Sequence, residues 1–207
     1  SIRFSLKHVD IFAAQIRAIL RASIGENVRI MFPMISSVDE FLDAKKVVLD
    51  CIEQLKVEKI ACHVSPSIGL MIEMPSVMEI IDDLAREAAF FSLGTNDFVQ
   101  YMLAVDRTNE RVADFYLPHH PSILRSLYKI AAAAIKNNID ISICGDMSHD
   151  LKYSKFLIGV GIRKFSVNAK HIPKMQAWMQ SLDTSEAREY AMKLISMSNI
   201  VDVEKML

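Results

Sequence analysis

No stretch of this 207-residue chain approaches the roughly 20 consecutive apolar residues that cross a bilayer. No signal-peptide pattern opens it either. A surplus of one charge is also missing: the formal net charge of −1 gives no electrostatic case for nucleic acid or an anionic membrane as a partner. Cysteine is scarce. Cys51, Cys62 and Cys144 make an odd count without a metal-type CxxC pair, so disulfides are not expected and a reducing cytoplasm is the default compartment. No Gly-x-Gly-x-x-Gly follows an apolar run, which argues against a dinucleotide fold. An initiating Met is lacking too, and Ser1-Ile2-Arg3-Phe4 already lies in patterned sequence, which reads as part of a longer protein.

What is present is an ordinary globular balance, 51% hydrophobic and 24% charged, with length enough for a sizeable core in one large domain. Ile11, Phe12, Ile16, Ile19 and Leu20 recur at three-to-four spacing and predict an amphipathic helix from about His8 to Ser23. The apolar run from Val28 to Met34 predicts a buried strand. Ser37, with Glu40 three residues on, predicts a capped helix from Val38 to Leu55. The same alternation continues: strands at Ile68–Met74, Phe90–Leu93, Asp140–Cys144 and Lys164–Asn168, and helices from Ser76 to Glu87, Ser122 to Asn137, Asp150 to Val160, Ile172 to Ser181 and Thr184 to Met197. Between Leu93 and Ser122 the pattern predicts one long connection. Buried strands alternating with helices mean a parallel sheet in an α/β fold. Five such units fit an open sheet or five-eighths of a (β/α)8 barrel. Polar groups at several strand ends (Glu73, Asn96 with Asp97, Cys144, Asn168) favour the incomplete barrel.

Those strand ends carry the chemistry. Glu73 closes an apolar strand, where a carboxylate is costly to bury unless it pairs with a base or holds a cation. Asp97 follows the next strand, and strands about 4.8 Å apart would aim the two carboxylates at one point, as a Mg²⁺ site requires. Asn96 also reads as a turn or cap residue. Arg107, ten residues beyond Asp97, offers a fixed positive charge to an anion, although alone it reads better as a solvated surface charge. Cys51 and Cys62 read as inert core thiols, whereas Cys144 at a strand end facing such a site reads as a proton donor or acceptor. His119-His120 has no partner at ligand spacing and reads as a polar loop. Arg3 says nothing by spacing.

Taken together the motifs are specific. Gly69-Leu70-Met71-Ile72-Glu73-Met74-Pro75, Phe90 to Asp97, Gln100-Tyr101 with Ala104-Val105-Asp106-Arg107, and Cys144-Gly145-Asp146 stand in an order and spacing that resemble the C-terminal region of the phosphoenolpyruvate-protein phosphotransferases, the Enzyme I family of the bacterial sugar phosphotransferase system. Arg17 to Ser23 and Ile30 to Met34 resemble that family as well. The resemblance implies that residues 1–207 are the C-terminal part of a phosphoenolpyruvate-binding (β/α)8 barrel that also forms a homodimer. It implies Mg²⁺ ligation by Glu73 and Asp97, phosphoenolpyruvate contacts from Arg3, Asn96, Asp97 and Arg107, and protonation of the enolate by Cys144. The phosphoryl group would pass to a histidine on a separate domain and then to the phosphocarrier protein HPr, leaving pyruvate. That histidine, three barrel strands and at least one further arginine lie outside this sequence, so the chain alone is expected to be inactive in phosphoryl transfer. The Glu and Gly-Thr-Asn-Asp motifs also occur in phosphoenolpyruvate-utilising dikinases and synthases, and a dimerisation module without catalysis is the non-enzymatic alternative. Departures from the family pattern are Met74 for threonine, Ala89 for aspartate, Phe98-Val99 for Leu-Thr, Asp146 for glutamate and Ser148-His149 for Ala-Gly.

Overall fold

The computed structural model describes residues 1–207. Two helices come first, α1 (Ile2–Lys7) and α2 (Val9–Ala22), the second burying Phe12, Ile16 and Leu20 along one stripe. Strand β1 (Arg29–Phe32) leads through Met34 to α3 (Val38–Val57), whose start is fixed by side chains. Ser37 Oγ accepts the Glu40 N–H at 3.1 Å, while Glu40 Oε2 accepts the Ser36 N–H at 2.7 Å. The expected capping pair is therefore present, with its return bond shifted one residue upstream.

Strand β2 (Ser67–Ile72) is followed by a 3-10 turn (Pro75–Glu79) and then α4 (Ile81–Glu87). The single helix expected from Ser76 is thus broken, at Ile80, whose φ of −119° is not helical. After β3 (Phe90–Gly94) comes the largest departure from expectation. The presumed long connection begins with a helix, α5 (Thr95–Leu103), which buries Phe98 and Val99 and stops at Ala104 in the left-handed region. Asn96 and Asp97 therefore lie on the first turn of a helix and not on the strand end. Next come α6 (Pro121–Lys136), β4 (Asp140–Cys144) and α7 (Leu151–Gly159). The fifth strand, β5 (Lys164–Phe165), has two residues where five were expected, because Asn168 turns away to cap a 3-10 turn through its bond from the Lys170 N–H. Helices α8 (Ile172–Gln180) and α9 (Thr184–Ser196) follow, and the expected tail is a helix, α10 (Ile200–Met206).

The five strands pair in chain order, β1-β2-β3-β4-β5, all parallel. Right-handed crossovers between successive neighbours place every connecting helix on the same face. A doubly wound sheet would reverse its strand order at a switch point, and this one does not. Five consecutive β/α units therefore form an arc of (β/α)8-barrel type. The helix-covered face buries Ile30, Phe32, Leu70, Ile72, Phe91, Leu93, Ile141 and Ile143, and a single cluster of 43 buried residues means one core and not two. Burial of this kind contributes about 1.5–3 kcal/mol for each large apolar side chain.

The opposite face is built differently. Across its middle run Met31, Gly69, Met71, Ser92 and Ser142, two flexible methionines among small residues, matched by register. At the N-terminal ends of the strands lies a charged floor. The Arg29 guanidinium sits 3.9 Å above the Phe90 ring and 3.0 Å from Asp140 Oδ2, and Lys164 pairs with the same carboxylate. Phe90 reaches across β2 only because position 69 is glycine: a Cβ there would lie 2.6 Å from the ring and 2.4 Å from the Phe90 carbonyl oxygen. No helix is long and apolar enough to cross a membrane.

Candidate active site

At the other end of the strands, the C-terminal end, the predicted groups come together. Glu73 stands one residue past β2 with only 4% of its surface exposed. Its Oε1 accepts the Met34 N–H at 2.6 Å. Its Oε2 lies over Gly94 of β3, where a Cβ would approach it to 2.9 Å, so glycine leaves the carboxylate room to cross its neighbour strand. Burial, above all, pushes the Glu73 carboxyl above its ordinary range; the Met34 N–H opposes this, and the nearby Asp97 carboxylate pushes the same way as burial. Asp97 itself occupies the first turn of α5, where the exposed N–H groups of the helix favour negative charge.

The next residue in this row is Cys144, which ends β4 and pairs in register with Gly94. Its thiol donates to the Leu93 carbonyl at 3.3 Å, and Ser92 Oγ lies 4.0 Å from Sγ. Burial raises the thiol's pKa, the Ser92 hydroxyl pulls it down, and the Glu73 and Asp97 carboxylates raise it further. The group is therefore a thiol and not a thiolate at neutral pH.

Two loops are fastened together here. Thr95 Oγ1 donates to the Cys144 carbonyl at 2.8 Å, and the Asp146 N–H donates to Asn96 Oδ1 at 2.8 Å. Gly145 lies between them at φ +83°, a left-handed conformation, and a Cβ would fall 2.6 Å from Asn96 Oδ1. Arg107 closes the outer side, with Nη1 at 3.3 Å from Asp146 Oδ2. Tyr116 completes it: its hydroxyl donates to the Asn96 carbonyl at 3.4 Å. Burial pushes the Tyr116 phenol up to about 12, Asp146 and Asp97 acting with burial and Arg107 against it, so these four side chains share one electrostatic neighbourhood.

The structure thus gathers Glu73, Asn96, Asp97, Cys144 and Arg107. Arg3 stands apart from this group: it lies on α1, its side chain is 60% exposed, and its ion pair is with Glu40 at 3.7 Å, beside the loop that follows β1. The 119–120 pair lies in the turn that leads into α6, as expected of a loop, but its side chains are engaged in the fold. His120 caps α6 by accepting the Ser122 N–H, and His119 is buried. Sequence reasoning missed Ser92 and Tyr116. Ser92 carried a signal, being the one polar residue in the Phe-Phe-Ser-Leu strand; Tyr116 carried none by spacing.

Glu73 and Asp97 also fit a divalent cation. They are a like-charge pair without a basic partner, Glu73 buried and Asp97 half-buried, and the one backbone hydrogen bond to the Glu73 carboxylate comes from Met34. No group of three His, Cys, Asp or Glu side chains forms a metal cluster of its own. Two carboxylates leaving room for ligand oxygens suit a Mg²⁺-like ion better than zinc.

A parallel barrel arc with a carboxylate pair, a thiol and an arginine gathered around the C-terminal end of its strands has the layout of a (β/α)8 enzyme domain. Residues 1–184 match the family described as PEP-utilising enzyme, PEP-binding domain, and the chain belongs to that family. Among its relatives, the phosphoenolpyruvate-protein phosphotransferase of Bacillus subtilis (strain 168) is 41% identical over 205 residues, covering 98% of this chain and 36% of the relative. That of Listeria monocytogenes is 39% identical over 209 residues, covering 100% and 36%. The chain thus spans about a third of the length of the curated relatives it matches. Among solved structures, a citrate lyase from Burkholderia xenovorans LB400 superposes with a TM-score of 0.59 at 19% identity, over 89% of this chain and 58% of that one, a likeness of fold alone.

Proposed function

We propose that residues 1–207 are the C-terminal part of the phosphoenolpyruvate-binding barrel of a phosphoenolpyruvate-protein phosphotransferase. The observation that carries this reading is the row Glu73–Gly94–Cys144: a buried carboxylate crosses a glycine towards a protonated thiol, with Asp97 alongside. The two carboxylates would hold Mg²⁺, which neutralises charge on the phosphate and carboxylate oxygens of the substrate. Asn96 and Arg107 orient the phosphoenolpyruvate, the arginine taking the phosphate through its planar fork of donors. Arg3, on α1, meets the same ligand only by leaving Glu40.

Transfer of the phosphoryl group to an acceptor histidine elsewhere in the protein leaves an enolate, which becomes pyruvate only when a proton reaches its carbon. Cys144 delivers that proton. Its carbonyl anchor on Leu93 orients the S–H, and burial, with the neighbouring carboxylates adding to it, keeps the proton on sulfur until the enolate needs it. The phosphoryl group then passes to HPr in a cytoplasmic sugar-uptake relay, and the intact protein works as a homodimer.

Calorimetry with phosphoenolpyruvate and Mg²⁺ tests the substrate assignment in the full-length protein. Glu73→Gln, which keeps the Met34 bond, is expected to abolish Mg²⁺-dependent binding. Binding unchanged in that variant would remove the cation site from this reading.

A further inference from the structure

Arg107 and Asp146 form an ion pair that the chemistry above does not use. Nη1 and Oδ2 are 3.3 Å apart, and the side chains are 39% and 62% exposed. The pair joins the segment after α5 to the turn after β4. Each backbone is anchored independently of it. The Asp146 N–H is held by Asn96 Oδ1 at 2.8 Å, and Ser148 Oγ ties the same turn to the Gly145 and Ser166 carbonyls at 2.7 and 2.9 Å. The Arg107 N–H is held by Gln100 Oε1 at 3.3 Å. Only the two side chains have to move for the pair to part. A carboxylate oxygen on a guanidinium is also the interaction a phosphate oxygen would make at the same place.

Resting on the reading that Arg107 takes the phosphate, we infer that Asp146 is a resident counter-anion, which holds Arg107 over the site and yields it to an incoming phosphate. The exchange requires rotation of the Asp146 side chain and no backbone change. The Cys144–Asp146 turn stays hooked on Asn96, so the thiol keeps its place while the arginine changes partner. Asp146 is a positioning residue in this scheme, setting how much binding an anion must bring to claim Arg107. Because the pair is exposed, its effect on affinity is modest, about twofold to fivefold.

Two measurements on the 207-residue chain test this, with inorganic phosphate as the probe. Nitrogen NMR of the Arg107 guanidinium should show hindered rotation in the parent chain and free rotation in Asp146→Asn. In a phosphate titration, Asp146→Asn should bind about twofold to fivefold tighter, and Asp146→Glu should return towards the parent affinity. Arg107→Gln should remove binding in both backgrounds, so that Asp146→Asn then changes nothing further. A merely structural role for Asp146 predicts the opposite sign, weaker binding. Equal Arg107 mobility in the two chains, or phosphate binding that is unchanged or weaker in Asp146→Asn, overturns the inference. If Arg107 is released in Asp146→Asn but phosphate moves no Arg107 resonance in either chain, the phosphate reading of the site fails and takes the inference with it.

Discussion

Glu73 is held between opposed demands: burial and the Asp97 carboxylate favour its neutral form, and only the Met34 N–H favours its charge. Replacing Asp97 by Asn removes one of the two forces raising its pKa. The Glu73 carboxyl, followed by carbon NMR in the metal-free chain, should then titrate at lower pH than in the parent; an unmoved titration would mean the two carboxylates do not interact. Cys144→Ala in the full-length protein should lower pyruvate formation by about 10²- to 10⁴-fold while leaving phosphoenolpyruvate binding measurable, the range expected for loss of a positioned acid. Full-rate pyruvate formation would refute the proton-donor role. Residues of this kind were legible in the sequence because a carboxylate or thiol ending an apolar run is out of place there. Tyr116 was not, since its contact with the Asn96 carbonyl depends on how the segment after α5 folds back. Asp146 showed only as a departure from a pattern, because its partner Arg107 is brought to it by tertiary structure alone.

At the scale of elements, helices and strands that bury a continuous stripe were readable from periodicity, and β4 was read with the bounds it has, Asp140–Cys144. Helix α5 was not, because Gly94-Thr95-Asn96-Asp97 has the composition of a turn and only nine residues follow the strand before Ala104. Arg3 shows the same limit: its place on α1 decides that it meets Glu40, and nothing in its sequence neighbours says so. Close approach of β2 to Phe90 gives a sharper test of strand packing. Gly69→Ala would drive a methyl group to within 2.4 Å of a backbone carbonyl that cannot rotate away. We expect a stability loss of about 1–3 kcal/mol, read as a lower denaturant midpoint at unchanged slope. An unshifted midpoint would show that β2 and β3 can separate without cost.

For the molecule as a whole, acid sensitivity is the informative property. His119 is buried with its Nδ1 unpartnered, and burial, with Lys152 and His120 adding to it against Glu204, lowers its pKa below the usual histidine value. The unfolded chain then takes up a proton near pH 6.5, before the folded chain does. This contribution to stability is complete above pH 6.5 and is lost as the pH falls towards the lowered folded value. The melting temperature should therefore drop as the pH falls below about 6.5, and His119→Gln should shrink that drop. A drop of the same size in the variant would assign the acid sensitivity to other groups.

The strand order has a further consequence, for how the chain comes into being. Because every strand pairs only with its neighbours in sequence, no unit must wait for a distant one before it can dock. A chain emerging from the ribosome can add each β/α unit to a platform already assembled, in the direction of synthesis. Pauses in translation after α3, α4, α6 or α7 would each leave an intact edge ready for the next strand.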